Sequence, residues 1–266
     1  MRASFPKASS TKPVSRAGRG DGRIALLSTL ALVALWWLAS LLAARPDLLP
    51  SPATVARIVG REAASGALLH HLGATLLRVV AAFVIAMTVG AALGIAMGMR
   101  RGIDRWGDPW LIFALNLPAL VTIVLCYIWI GLTEVAAVAA VAINKIPLVT
   151  TVMREGARAL DRELAAMAQV FEFSRARRLR HVVLPQLEPH FAAAARTGVA
   201  LIWKIVLVVE FLGRSNGVGF QIHLHFQNFD VAAILAYSLS FVAVMLLIEL
   251  GLLQPWQRHA ARWRRA

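Results

Sequence analysis

Apolar stretches at 24–44, 72–99, 110–130, 135–153, 191–212 and 231–253 alternate along the chain with polar segments. A bilayer core of about 30 Å takes roughly 20 apolar helical residues, and in lipid a helix satisfies every backbone N–H and C=O within one segment. The pattern predicts an all-α membrane protein with six transmembrane helices. Asn144, Lys145 and Pro147 interrupt the fourth run, and the second is long enough that it must tilt or begin in the interface.

The polar segments set the orientation. With the N-terminus inside, the inner segments hold twenty Lys and Arg residues and the outer ones only Arg45, Arg57, Arg61 and Arg214. Such a bias places both termini and the long 154–190 loop in the cytoplasm. Residues 1–23, rich in Ser, Arg, Gly and Pro, read as a disordered basic tail and 254–266 as a second basic tail, leaving 24–253 as the membrane domain. The first apolar run ends Leu42-Ala43-Ala44 after basic residues, as a cleaved signal peptide would, but it exceeds the usual apolar core of roughly 7–15 residues. A retained first helix is expected.

Composition narrows the function. The chain has 266 residues, 59% hydrophobic and 16% charged, with mean hydropathy +0.67, too apolar for a soluble domain. Its net charge of +14 is spread along the flanks of apolar runs, which suits anionic headgroups and excludes nucleic acid as the partner. Cys126 stands alone, so neither a disulfide within the chain nor a cysteine metal cluster is available. The phosphate-cradling pattern G-x-x-x-x-G-K-[ST] does not occur, so no cofactor is expected and ATP, if used, binds a separate subunit. No nucleophile–base constellation stands out, Glu188 beside His190 lying on a loop with no pocket to argue from.

Inside the 154–190 loop, Ala166-Met167-Ala168 is followed by Glu172 and then by Val182-Val183-Leu184-Pro185. This run resembles the docking loop of bacterial ATP-binding cassette (ABC) importer permeases, whose pattern is Glu-Ala-Ala, three residues, Gly, nine residues, Ile-x-Leu-Pro. Ala166 then stands at the Glu and Glu172 at the Gly. Leu49-Pro50-Ser51-Pro52 adds a resemblance to the branch importing nitrate, sulfonates and taurine. The resemblance implies a type I importer permease of the bacterial inner membrane. Its partners would be cytoplasmic ATPase subunits, a second permease copy or paralogue, and an extracytoplasmic solute-binding protein. ATP binding would draw the 154–190 loops together and tip the helices between inward-open and outward-open states.

Read physically, Leu164, Ala165, Ala168 and Phe171 recur at helical spacing, predicting a short amphipathic helix. Phe171 and Phe173 are expected as exposed anchors for a partner's groove, the alternative being that they tuck under the membrane helices. Ser174 can cap a second short helix over 175–182, ended by Pro185 after Leu184. A side chain at Glu172 opposes the positive φ that Gly permits, so either the turn is rebuilt or the subunit docks unlike its relatives. Both a sub-branch with its own matching ATPase and a degenerate half of a heterodimer remain open.

Charges inside the membrane supply the other candidates. Arg78 and Glu249, near helix ends, are expected to snorkel. Asn116, Lys145, Lys204 and Glu210 are candidate pathway-lining residues, with Lys204 either attracting an anion or pairing with Glu210 or Glu134. Gly90, Gly94 and Gly98 form a small-residue face for packing within the chain or between copies. Ser51 and Pro52 suit the start of a short outer amphipathic helix. The segment 213–219 reads as a turn, with His223 and His225 alternating as on a strand or irregular loop and no metal site expected. The resemblance implies a membrane subunit importing a small, often anionic solute; the alternative is an ATP-independent carrier or a membrane-embedded enzyme.

Overall fold

A computed structural model of the protein describes residues 19–256. The expected tails lie mostly outside the described residues, and what is described of them is helical, 19–23 opening the first helix and 254–256 closing the last.

The chain divides at Thr54 into two compact units. The first holds α1 (Arg19–Ala43), followed by a turn in which Arg45 carbonyl accepts from the amides of Leu48 and Leu49. Trp36 Nε1 donates to the Pro50 carbonyl at 3.1 Å. Ser51 Oγ accepts from Thr54 N at 3.3 Å, so the serine and proline start α2 (Pro52–Ala64) as expected.

The second unit contains α3 (Ala67–Met99), α4 (Arg101–Asn116), α5 (Ala119–Ile130), α6 (Glu134–Arg158), α7 (Arg162–Val170), α8 (Arg175–Arg178), α9 (Leu184–Gly213), α10 (Val218–Gln227) and α11 (Val231–Ile248), which ends in a π-turn over Glu249–Leu253. Among the described residues, five helices are long and apolar enough to cross a membrane, and α4 with α5 makes a sixth span if that bent pair counts as one. At about 1.5 Å per residue, α3 is roughly 50 Å long and overshoots a ~30 Å hydrocarbon core.

Helices α3, α6 and α9 form the centre. Val79 and Ala82 of α3, Ala137 and Val141 of α6, and Ile202 and Val206 of α9 share one buried cluster, joined by Ile123 and Cys126 of α5. The glycine face of α3 makes this possible. A Cβ on Gly90 would sit 2.7 Å from Val149 Cβ, on Gly94 2.7 Å from Met153 Cβ, and on Gly98 2.5 Å from Ala157 Cβ. Gly90, Gly94 and Gly98 thus let α6 press against α3 within one chain.

Two spans depart from expectation. The third is not a straight helix over 110–130: α4 and α5 meet at 96°. Leu117, which precedes a proline, is extended at ψ 123°, and Asn116 Nδ2 donates back to the Ile112 carbonyl at 2.8 Å. The fourth, expected to be disrupted, is instead an unbroken α6 of 25 residues through Asn144, Lys145 and Pro147. Neighbouring helices hold it on both sides of the proline, which outweighs one lost helical hydrogen bond.

Candidate functional site

The loop singled out from sequence folds as a rod. Asp161 Oδ1 accepts from Glu163 N at 2.7 Å and starts α7, while Asp161 N donates to Gln186 Oε1 at 2.8 Å, tying the loop's entry to its exit. At the end of α7, Phe173 N donates to Ala168 O at 2.9 Å and Glu172 N to Gln169 O at 3.1 Å. This pair of bonds is a Schellman cap, whose turning residue is left-handed. That residue is Glu172, at φ +49°. The turn is therefore not rebuilt: it keeps the geometry for which glycine is suited, and the glutamate carries strain of about 1 kcal/mol.

Around this turn, Phe171 is 67% exposed, whereas Phe173 is half-buried with the Arg177 guanidinium 5.6 Å from its ring centroid. Only Phe171 is the free anchor expected of both. Ala166 is exposed and Ala168 buried, so the second small residue packs and the first faces outward. Ser174 caps α8, its Oγ accepting from Arg177 N at 3.3 Å. Pro185 does not end that helix. A π-turn over Leu179–Val183, closed by Leu184 N on Leu179 O, leads straight into α9, whose first turn contains Leu184 and Pro185. The wider turn suits a proline because its ring lacks the N–H that an α-turn would need there. Helix from Ala176 to Gly213 is continuous over 38 residues.

At the far end of α9 lies a charge cluster that the sequence did not reveal. Arg78, expected to snorkel, is 5% exposed; it donates to Glu210 at 2.7 Å and to Glu134 at 2.7 and 2.6 Å. The same guanidinium reaches the Asn216 carbonyl at 2.9 Å and the Asn216 side-chain oxygen. Arg214 donates to Glu134 at 2.5 Å, so two arginines face two carboxylates. Glu210 is 0% exposed and accepts from Thr75 Oγ1 at 2.9 Å and Gly219 N at 2.8 Å. Thr75 Oγ1 in turn accepts from Val218 N at 2.8 Å, and His71 Nδ1 from Gly217 N at 3.1 Å. Glu210 thus does not line a pathway; with Arg78 it pins the start of α10 to α3, α6 and α9. The region expected as strand or irregular loop is helical, with His223 bonded to Gln227 one turn on at 2.8 Å.

The two lysines stand elsewhere. Lys204 pairs with neither Glu210 nor Glu134; it is exposed, with Nζ 5.5 Å from the Trp203 ring centroid, on an α9 face shared with Thr197, Leu201, Val208 and Leu212. Lys145 is buried on α6 and forms no ion pair among the described residues. Because Glu134 and Arg214 touch, they fix the relative height of α6 and α9. Counting about 1.5 Å per residue from that contact puts Lys145 and Lys204 at one depth, roughly 15 Å in. Asn116 sits at the α4–α5 break, exposed. Glu249, expected to snorkel, accepts from Arg196 Nε at 2.9 Å.

The described helices thus form a multi-span bundle in which the capped rod runs on into α9. Residues 86–254 match the family described as binding-protein-dependent transport system inner membrane component. The chain belongs to this family. It is therefore the membrane-spanning subunit of an ABC importer, multi-pass in the inner membrane, in a family that works with an ATPase and a solute-binding protein. The taurine transport system permease protein TauC of Escherichia coli (strain K12) is 28% identical over 244 residues, 89% of this chain and 88% of that one. The riboflavin transport system permease protein RibX of Chloroflexus aurantiacus is 33% identical over 241 residues, 88% of each. SsuC of Escherichia coli (strain K12), a permease named for aliphatic sulfonates, is 33% identical over 192 residues, 72% of this chain and 73% of that one. Among solved structures, a chain of an amino acid ABC transporter aligns with TM-score 0.60 over 75% of this chain and 97% of that one, at 20% identity. A chain of the inward-facing methionine ABC transporter MetNI aligns with TM-score 0.61 over 71% and 93%, at 14% identity. These two likenesses establish the fold.

Proposed function

We propose that this importer subunit forms half of a pathway for a small anion and is driven by a separate ATPase that pushes on the segment 161–186. The observation that carries the proposal is continuity. Helix runs unbroken from Ala176 to Gly213, so a displacement at Ala176, two residues beyond the capped turn, reaches Lys204 without crossing a hinge. The Arg78 cluster holds the other end of α9 to α3 and α6, so the three helices tilt together.

In this reading both termini and the rod are cytoplasmic, ATP is hydrolysed by the partner alone, and a second permease copy or paralogue faces α9. An extracytoplasmic binding protein delivers solute near α10, whose Phe226 and the following Phe229 are exposed. An ammonium on an otherwise apolar face at mid-membrane is costly against lipid, so the Lys204 face turns to the water-filled pathway. The sulfonate and taurine relatives agree with an anion, and the riboflavin relative shows that family membership does not by itself fix the solute.

The test is co-purification of a neighbouring-gene ATPase with the Phe171→Ala subunit. Loss of the ATPase with an unchanged melting temperature of the permease is expected, because Phe171 is exposed and supports no core. Undiminished co-purification sinks the docking assignment.

A further inference from the structure

Where α4 leaves α3, the chain carries a cleft of about 690 Å³, lined in part by the segment 161–186 on the side that faces α4. Its walls are the end of α3, the first turns of α4, the end of α6 and the rod, which contribute Arg101, Arg105, Arg158 and Arg178 beside Asp104 and Asp161. Both acids are already engaged. Asp104 accepts from Arg158 at 2.5 Å and Arg154 at 3.4 Å, and Asp161 caps α7. The side chains of Arg101, Arg105 and Arg178 make no hydrogen bond or ion pair with any described residue. The cleft therefore presents three guanidiniums that form no ion pair, against the one unpaired carboxylate of Asp161, over an apolar floor of Met97, Val182 and Val183.

Its position relative to the bilayer follows from α4. This helix is polar on the side where Asp104 and Asp108 bind Arg154, and on the other side carries Ile103, Trp106, Trp110 and Phe113, spaced three or four apart. Trp106 is 83% and Trp110 71% exposed. Exposed tryptophans on an amphipathic helix, bent 96° from the span that follows, mark a helix lying in the headgroup boundary. The arginines behind it then sit at phosphate level. The first turn of α4 has no side-chain cap, leaving its amides open at the same place.

We infer that this cleft binds the phosphate headgroup of an anionic phospholipid, bridging α4 to the rod. Charge complementarity selects the lipid: a zwitterionic headgroup would bring a cation against the same three guanidiniums. Arg178 belongs to the rod and Arg101 and Arg105 to α4, so a bound headgroup ties the segment that moves to the membrane surface.

The purified full-length chain is equilibrated with mixed micelles of phosphatidylglycerol and phosphatidylcholine, and the retained lipid is read by native mass spectrometry. Wild type is expected to retain phosphatidylglycerol preferentially. The triple variant R101Q/R105Q/R178Q should lose roughly a hundredfold of that preference, at the usual contribution per basic residue near anionic lipid. The triple R45Q/R57Q/R61Q, with the same charge removed elsewhere, should keep it, and R101K/R105K/R178K should keep most of it, separating charge from misfolding. Equal retention of the two lipids by wild type, or undiminished preference in the glutamine triple, overturns the inference. So does displacement of phosphatidylglycerol by millimolar inorganic phosphate, which would make a free anion the occupant. A disulfide between two copies through Trp106→Cys would assign the α4 face to a second copy instead and overturn it equally.

Discussion

Arg78 Nη1 lies 2.7 Å from Glu210 Oε1, with the arginine 5% and the glutamate 0% exposed. They are 132 residues apart in sequence. A buried carboxylate is tolerable only when paired and hydrogen-bonded, and Glu210 meets both conditions through Arg78, Thr75 and Gly219. The pair therefore records a commitment of α3, α9 and α10 to one arrangement.

Removing the cation strands the anion. Arg78→Ala should destabilise the subunit by about 3–5 kcal/mol, since Glu210 remains buried without a counter-charge. The double change Arg78→Gln, Glu210→Gln should recover much of the loss because no net charge is then buried. Thermal unfolding in detergent decides this; an Arg78→Ala protein as stable as one carrying the exposed change Arg61→Ala would refute the role of the cluster.

Glu172 at φ +49° gives the opposite expectation. Glu172→Gly should stabilise the α7 turn by about 1 kcal/mol, since glycine adopts the left-handed conformation without a Cβ penalty. Slower amide exchange at Phe173, whose N–H closes the cap, is the measurement. Substrate-stimulated ATPase activity of the assembled complex should change little; a several-fold rise would identify this chain as a degenerate half instead.

The α3–α6 contact predicts a contrast between two glycines. Gly94→Ala places a Cβ 2.7 Å from Met153 Cβ and 2.9 Å from Arg154 N, whereas nothing lies within 4 Å of one on Gly73. The first change should cost about 1–3 kcal/mol by overpacking. The second should be neutral or stabilise by roughly 0.5–1 kcal/mol, because alanine loses less backbone entropy in a helix. Equal melting temperatures for the two variants would contradict the close approach.

Lys204 is exposed and unpaired with Glu210, so Lys204→Gln should leave the melting temperature unchanged. Uptake of an anionic solute by the reconstituted importer should fall, mainly through a higher apparent KM, because the lost attraction acts on substrate binding. Normal uptake kinetics would remove Lys204 from the pathway.

The sequence by itself determined most of the membrane spans, the place of the 161–186 rod and the family, because these depend on local properties: length of apolar run, side-chain type, spacing. Apolar periodicity placed α3, α6, α9 and α11, and the run from Ala166 to Pro185 located the rod, while leaving open whether the turn at Glu172 was rebuilt. What Glu172 does there was decided by the Schellman bonds, which outweigh its strain. Tertiary structure alone decided the partners of the charges. Arg78 looked like a snorkelling end residue and Glu210 like a wall of the pathway because each was read on its own helix. Their pairing depends on the height at which α3 and α9 pack, which the α6 register sets and no single segment encodes. The bend at Leu117 and the continuity past Pro185 fall in the same class. In both places a proline permits more than one outcome, and packing around it selects which.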